Sequence, residues 1–237
     1  IGKAQELAQG VPGFQVKAVL LGNGVMELAR ELQHYGVSEV VAYDDPALSF
    51  FRADVFATCI EDYIRAARPS VVLVGATSLG RSLAPRLSTR FHTGLTADCT
   101  RLELRENTDL VQIRPAFGGN LMATIVCPNH RPQMATVRPG IFKAPDFDYG
   151  RSGTITQISL ADDARARVEI SIPAEEWGQR ASIADAEGLV VVGRGIGSKK
   201  NLPLMRKLAE ALGSELGCTR PVVEAGWLEY RHQIGQT

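Results

Sequence analysis

Short apolar runs alternate along this chain with longer segments whose apolar residues recur at helical spacing. Phe14 to Leu21, Glu39 to Tyr43 and Val71 to Val74 read as strands. Between them, Val25 to Tyr35 reads as a helix burying Val25, Leu28, Ala29 and Leu32, with Gly36 ending it. Asp54 to Ala67 reads as a second helix, with Phe56, Cys59, Ile60, Tyr63 and Ile64 inward. Thr77 or Ser78 caps a third that runs to about Arg90. Gly2 to Gln9 is the close of an earlier helix, stopped by Gly10 and Pro12-Gly13.

This alternation predicts an α/β fold, with a mainly parallel, Rossmann-like sheet covered by helices on both faces. The all-apolar run Val71 to Val74 is the expected central strand. Ligands in such sheets sit beyond the carboxyl ends of strands. Gly22-Asn23-Gly24 and Gly75-Ala76-Thr77-Ser78 are therefore expected on the functional edge.

After Thr96 the rhythm changes to strands without helices: Thr100 to Leu104, Leu110 to Arg114, Leu121 to Cys127 and Gln133 to Val137. The first domain is thus expected to finish with antiparallel or mixed strands. Phe142 to Gly153 reads as a loop, and Thr154 to Ser159 and Ala166 to Ile172 as further strands. Pro173 to Glu187 is polar with acidic clusters, and marks a boundary. A new unit follows: a strand from Leu189 to Val192, a loop from Gly193 to Gly197, a helix from Leu202 to Leu212, and a strand end at Gly217 to Pro221. The division expected is a domain over 1–173, a linker over 174–188 and a second, incomplete doubly wound domain over 189–237. That last stretch is less than half of what a doubly wound unit usually needs. The chain opens without methionine and closes on Gly235-Gln236-Thr237, so both ends read as cut.

Composition narrows the function. Of the residues, 45% are hydrophobic and 22% charged, as in a soluble globular protein. Lys plus Arg and Asp plus Glu are 26 each, which argues against nucleic acid as the main partner. No apolar run approaches the roughly 20 residues of a membrane span, so no membrane insertion is expected. The four cysteines form no CxxC pair, and read as reduced thiols of a cytoplasmic protein.

Arg114, Arg131 and Arg138 each precede a proline. Proline lacks an N–H and pushes its predecessor toward extended backbone, so each guanidinium is expected at a strand end or loop. Three such arginines suit an anionic ligand or partner, or equally a set of structural ion pairs. Gly193-Arg194-Gly195-Ile196-Gly197 lies between a strand and a helix, where bare backbone N–H groups approach phosphate. It is not the full GxGxxG pattern, and alone it is equally a tight turn. Thr219-Arg220 is either a surface pair or a hydroxyl and cation facing a ligand. His130 has no second ligand at metal spacing, Ser78 lacks a GxSxG context, and no hydrolytic triad is found.

Several long runs resemble the alpha subunit of electron-transfer flavoproteins, of the bacterial type that includes flavin-based bifurcating members. They are GATSLGRSLAPRL at Gly75 to Leu87, TGLTADCT at Thr93 to Thr100, and RPAFGGNLMATIVCPNHRPQMATVRPG at Arg114 to Gly140. VVGRGIGSKKN at Val191 to Asn201, GCTRPVVEAGW at Gly217 to Trp227 and IGQT at Ile234 to Thr237 extend the match over nearly the whole chain. The resemblance implies FAD as cofactor, a beta subunit as heterodimer partner, and single-electron transfer to and from acyl-CoA or other dehydrogenases. In the bifurcating case NADH is the donor, and ferredoxin or flavodoxin is one acceptor. It implies that Arg194 and Gly195 contact FAD and that Thr219 and Arg220 lie at the flavin ring, where a cation favours the charge gained on one-electron reduction. It also implies that Gln236 and Thr237 bond the flavin edge. One of the three Arg-Pro arginines, Arg114 by preference, reaches a second flavin held by the beta subunit. The residue matching Thr219 is serine in many members, and the hydroxyl is kept. The reading set beside this one is a nucleotide-binding scaffold subunit with no redox role of its own.

Overall fold

A computed structural model describes residues 1–116, 119–160, 183 and 186–235. The chain divides into two compact units, Ile1–Ile170 and Ser171–Thr237. The strand expected at Ala166 to Ile172 lies outside the described residues.

In the first unit, α1 (Gly2–Gln9) precedes β1 (Lys17–Gly22), α2 (Met26–Gln33) and β2 (Glu39–Asp44). α3 (Ala53–Ala67), β3 (Val71–Gly75), α4 (Ser78–Arg90) and β4 (Leu95–Cys99) follow. Then come β5 (Arg101–Leu104), β6 (Leu110–Ala116), β7 (Leu121–Ile125), β8 (Gln133–Val137) and β9 (Thr154–Gln157). The expected α/β architecture is present, with parallel pairing where strands alternate with helices.

The pairing differs from one continuous sheet. Among the described residues there are two three-stranded parallel sheets, ordered β1-β2-β9 and β3-β8-β4, and an antiparallel sheet ordered β5-β6-β7. β3 was expected to be central; among the described residues it is bonded on one side only, and its residues are half-buried or exposed. The central place goes to β8, whose Gln133 to Thr136 are buried. β8 returns after the antiparallel strands and inserts between β3 and β4. β4 itself interrupts its apolar residues with Thr96 and Asp98, so it lacks an apolar run.

β2 carries Val40, Val41, Ala42 and Tyr43, all buried, as a strand covered on both faces should. Val41 and Tyr43 pack with Leu48, Val55 and Cys59, while Val40 and Ala42 pack with Ala29 and Val37. Leu28, expected inside, is 52% exposed on the outer face of α2. Thr77 caps α4, its hydroxyl accepting the Gly80 N–H at 3.2 Å. Leu83 and Leu87 of that helix join Ala57 of α3 and Met134 of β8 in one cluster.

The second unit holds β10 (Leu189–Val192), α5 (Leu202–Ala211), β11 (Glu215–Cys218) and α6 (Arg220–Glu224), with β10 and β11 parallel. Its core joins Val192, Leu202, Ala209, Leu216, Cys218, Val222 and Leu228. All four cysteines are free, and burial pushes the thiols of Cys59 and Cys99 up to about 11.

Candidate functional site

In the second unit, Val192 pairs with Cys218 at the carboxyl ends of β10 and β11. The ladder continues one step further, because the Thr219 N–H donates to the Val192 carbonyl at 3.0 Å. Gly193 and Thr219 are neighbours: a Cβ on Gly193 would lie 3.8 Å from the Thr219 Oγ1. The next residue on each chain is an exposed arginine, Arg194 and Arg220. Both cations therefore leave the same edge of one strand pair, which is where a parallel sheet receives a ligand.

The loop after β10 is held from behind. Asn201 Nδ2 donates to the Ile196 carbonyl at 2.7 Å, and Ser198 Oγ accepts the Lys200 N–H at 3.2 Å. Gly195 stays bare: a Cβ built there meets nothing within 4 Å. Exposed backbone beside two guanidiniums fits a phosphate-bearing, negatively charged cofactor such as a flavin nucleotide.

α6 presents Arg220 on a fixed stub. Thr219 precedes it, a proline stands in its first turn, and Val222 anchors its inner side at 0% exposure. Lys199 Nζ closes the far end on the Gly226 carbonyl at 3.2 Å. Arg220 Nε meets Glu224 Oε1 at 2.8 Å, with both side chains largely exposed. Such a pair contributes little and leaves the guanidinium available.

Gln236 and Thr237 lie outside the described residues. The segment leading to them runs beside β11, where Gln233 bridges to Cys218 and the Ile234 N–H donates to the Cys218 carbonyl at 2.9 Å. His232 Nδ1 meets the Leu216 carbonyl at 2.9 Å. No periodicity in this stretch announces that pairing.

In the first unit the three Arg-Pro arginines separate. Arg131 is structural: its Nη1 donates to the carbonyls of Cys127, Pro128 and His130 at 3.1–3.3 Å, and its Nη2 meets Asp109 Oδ1 at 3.1 Å. Arg138 grips Asp98 Oδ2 through Nε at 3.1 Å and Nη2 at 2.6 Å. Arg114, half-buried on β6, makes one long contact among the described residues, Nε to the Pro115 carbonyl at 3.4 Å. Of the three it keeps the most donor capacity for an outside group. Of the two glycine loops on the sheet edges, Gly22-Asn23-Gly24 is closed internally, since the Gly24 N–H donates to Asp44 Oδ1 at 2.6 Å. A carboxylate there opposes an anionic ligand.

Sequence comparison assigns both units. The Electron transfer flavoprotein domain matches residues 1–163, and the Electron transfer flavoprotein FAD-binding domain matches residues 182–237. The chain belongs to the electron transfer flavoprotein alpha-subunit family, a family of flavin-dependent electron-transfer proteins. It is 42% identical to the electron transfer flavoprotein subunit alpha of Thermoanaerobacterium thermosaccharolyticum, over 100% of this chain and 72% of that protein. It is 48% identical to the lactate dehydrogenase (NAD(+),ferredoxin) subunit LctC of Acetobacterium woodii, over 99% of this chain. The matching subunit of Megasphaera elsdenii is 40% identical, and this chain covers 71% of it. The chain thus spans between about half and three quarters of these relatives, with 56% of LctC covered. No helix among the described residues is long and apolar enough to cross a membrane.

Proposed function

We propose that this chain acts as the alpha subunit of a heterodimeric electron-transfer flavoprotein, binding FAD and passing single electrons between it and a partner dehydrogenase. The observation that carries the reading is the shared edge of β10 and β11, where Arg194 and Arg220 follow the Val192–Cys218 pair. Bound FAD supplies the redox chemistry. The chain's own residues hold and bias it. Arg194 and the bare backbone of Gly195 take its anionic portion, while Thr219 and Arg220 face the ring system, and Gln236 and Thr237 bond its edge. Arg220 favours whichever state of the ring carries negative charge.

Residues 1–173 serve as the subunit-interface domain, 174–188 as a linker, and 189–237 as part of the FAD-binding domain. The beta subunit docks on the first of these, with Arg114 directed at a second flavin that it carries. Acyl-CoA or other dehydrogenases are the electron partners. The likeness to a subunit of an NAD(+),ferredoxin lactate dehydrogenase favours a bifurcating complex driven by NADH, with ferredoxin or flavodoxin as one acceptor. Free thiols at Cys59, Cys99, Cys127 and Cys218 suit a cytoplasmic setting.

The test is flavin content and the visible spectrum of the complete heterodimer. One or two FAD per heterodimer, bleached by the physiological donor, is the expected result. A colourless, fully assembled complex would leave the nucleotide-binding scaffold as the function.

A further inference from the structure

Backbone bonds stitch four strand ends into one corner of the first unit. The Ala76 N–H donates to the Val137 carbonyl at 2.8 Å, Arg138 N–H to Cys99 at 3.0 Å, and Thr100 N–H to Ile113 at 3.0 Å. This corner is the carboxyl edge of the β3–β8–β4 sheet. It gathers Arg81, whose Nε donates to the Ala76 carbonyl at 3.0 Å, together with Arg138, Asp98 and Arg114.

Asp98 is built into the corner with care for its geometry. Its backbone is left-handed, with φ at 61°, a conformation that Asp and Asn tolerate better than most residues. Its N–H donates to Thr136 Oγ1 at 2.7 Å. One carboxylate oxygen, Oδ2, receives two donors from Arg138, and the other, Oδ1, is buried without a hydrogen-bond partner among the described residues. The hydrogen bond from Arg138 is the largest influence holding this carboxyl below its ordinary range, and the charges of Arg81 and Arg114 act in the same direction. Arg138 is the guanidinium bonded to this carboxylate, while Arg81 is held on the Ala76 carbonyl and Arg114 follows Ile113 in the same corner, so the corner keeps a positive surplus at a ligand-receiving edge.

We propose that Arg81, Arg114 and Arg138 act as one cationic set on the flavin carried by the beta subunit, with Asp98 as the positioning residue that fixes Arg138 and sets the net charge of the set. The proposal rests on the reading that Arg114 faces that flavin. Oxidised flavin is neutral at the ring and reduced flavin can carry negative charge, so a cation nearby favours reduction and a carboxylate opposes it. Asp98 also lets three like charges share a corner that would otherwise splay them apart.

The test reads the one-electron midpoint potential of the beta-subunit flavin by spectroelectrochemistry in the complete heterodimer. Arg114→Gln and Arg81→Gln are each expected to lower the equilibrium constant for reduction about tenfold, or about 59 mV. Asp98→Asn keeps a residue suited to the left-handed backbone and an oxygen for Arg138, and is expected to shift the potential upward. Opposite signs are the signature, because a merely structural role would move all three variants the same way. Flavin content is followed by fluorescence in each variant, and the potential is read on the fraction of heterodimer that retains flavin. If Arg114→Gln leaves the potential unmoved, the reading beneath the proposal fails. If Arg114→Gln lowers it while Arg81→Gln does nothing, or Asp98→Asn does nothing or lowers it, the cationic set is wrong and the Arg114 reading stands. Should Asp98→Asn fail to assemble, Arg81→Gln decides alone.

Discussion

A Cβ on Gly80 would stand 1.8 Å from the carbonyl oxygen of Gly75. The first turn of α4 therefore packs backbone to backbone on the end of β3, and only glycine permits it. Gly80→Ala gains up to about 1 kcal/mol of helix propensity. It must also push α4 off the strand end, an overpacking cost of about 1–3 kcal/mol or more. Net destabilisation is expected, read as a lower urea midpoint for the first unit in the complete heterodimer. An unchanged or higher midpoint would show that α4 approaches β3 less closely than described.

Gln133 is fully buried at the start of β8, the central strand of the β3–β8–β4 sheet, and carries no charge chemistry. Its Oε1 accepts the Leu110 N–H at 2.7 Å, and its Nε2 donates to the Thr108 carbonyl at 2.9 Å. It thereby ties the antiparallel strands to the parallel sheet. Gln133→Leu preserves volume but leaves both backbone groups without their partner, at a cost of about 1–3 kcal/mol for each group left buried and unpaired. Urea denaturation is expected to show that loss. Hydrogen exchange at the Leu110 amide should accelerate by more than global destabilisation accounts for. Uniform acceleration across the first unit would mean that the amide finds another acceptor.

How far these features could be read from sequence depends on the kind of order involved. The longer helices and most of the parallel strands follow from apolar spacing, which is local. β4 was missed because Thr96 and Asp98 break its apolar run, and the insertion of β8 between β3 and β4 is a pairing choice no local pattern records. Leu28 fits the apolar stripe of α2 yet faces outward, because Ala29 and Leu32 already meet the sheet. The Arg-Pro arginines look alike as dipeptides. They are told apart by which carboxylate lies within reach, Asp109 for Arg131 and Asp98 for Arg138, each more than twenty residues from its partner for tertiary reasons only. Arg194 was legible at a strand end, since it follows the apolar run Leu189 to Val192 across one glycine. The strand before Arg220, Glu215–Cys218, carries a glutamate and a glycine and reads from sequence only as a strand end or loop, so its parallel pairing with β10 is tertiary information.

The Asp98–Arg138 pair makes stability depend on acid. The Arg138 hydrogen bond, and after it the nearby guanidinium charges, hold the folded pKa of Asp98 below its ordinary 3.8. A depressed carboxylate stabilises the fold fully above the unfolded value, and the contribution is lost as pH falls through the folded value. Urea midpoints measured downward from about pH 5 are therefore expected to decline more steeply in wild type than in Asp98→Asn. The variant starts lower at neutral pH and converges on wild type in acid. Parallel profiles would mean that the pair does not persist in solution.

Arg220 carries the sharpest consequence of the proposed FAD site. Its guanidinium is exposed at the strand-pair edge, and its partner Glu224 is too exposed to neutralise it. Against a bound flavin ring, the cation interacts more strongly with the singly reduced, negatively charged form than with the neutral oxidised one. Charges about 4 Å apart attract by roughly 4 kcal/mol at an effective dielectric near 20. Solvent and Glu224 screen part of this, so a net difference of on the order of 2 kcal/mol is expected. For a one-electron couple, where tenfold is 59 mV, that is roughly 90 mV. In the full-length heterodimer, Arg220→Ala is expected to lower the first reduction potential of the alpha-subunit FAD by about that amount. The hydroxyl of Thr219 remains, so FAD should still bind. Arg220→Lys restores the charge without the planar fork, and should recover only part of the shift. A stepwise reductive titration followed by absorbance measures both. If Arg220→Ala retains FAD and its first potential equals that of wild type, Arg220 does not face the flavin.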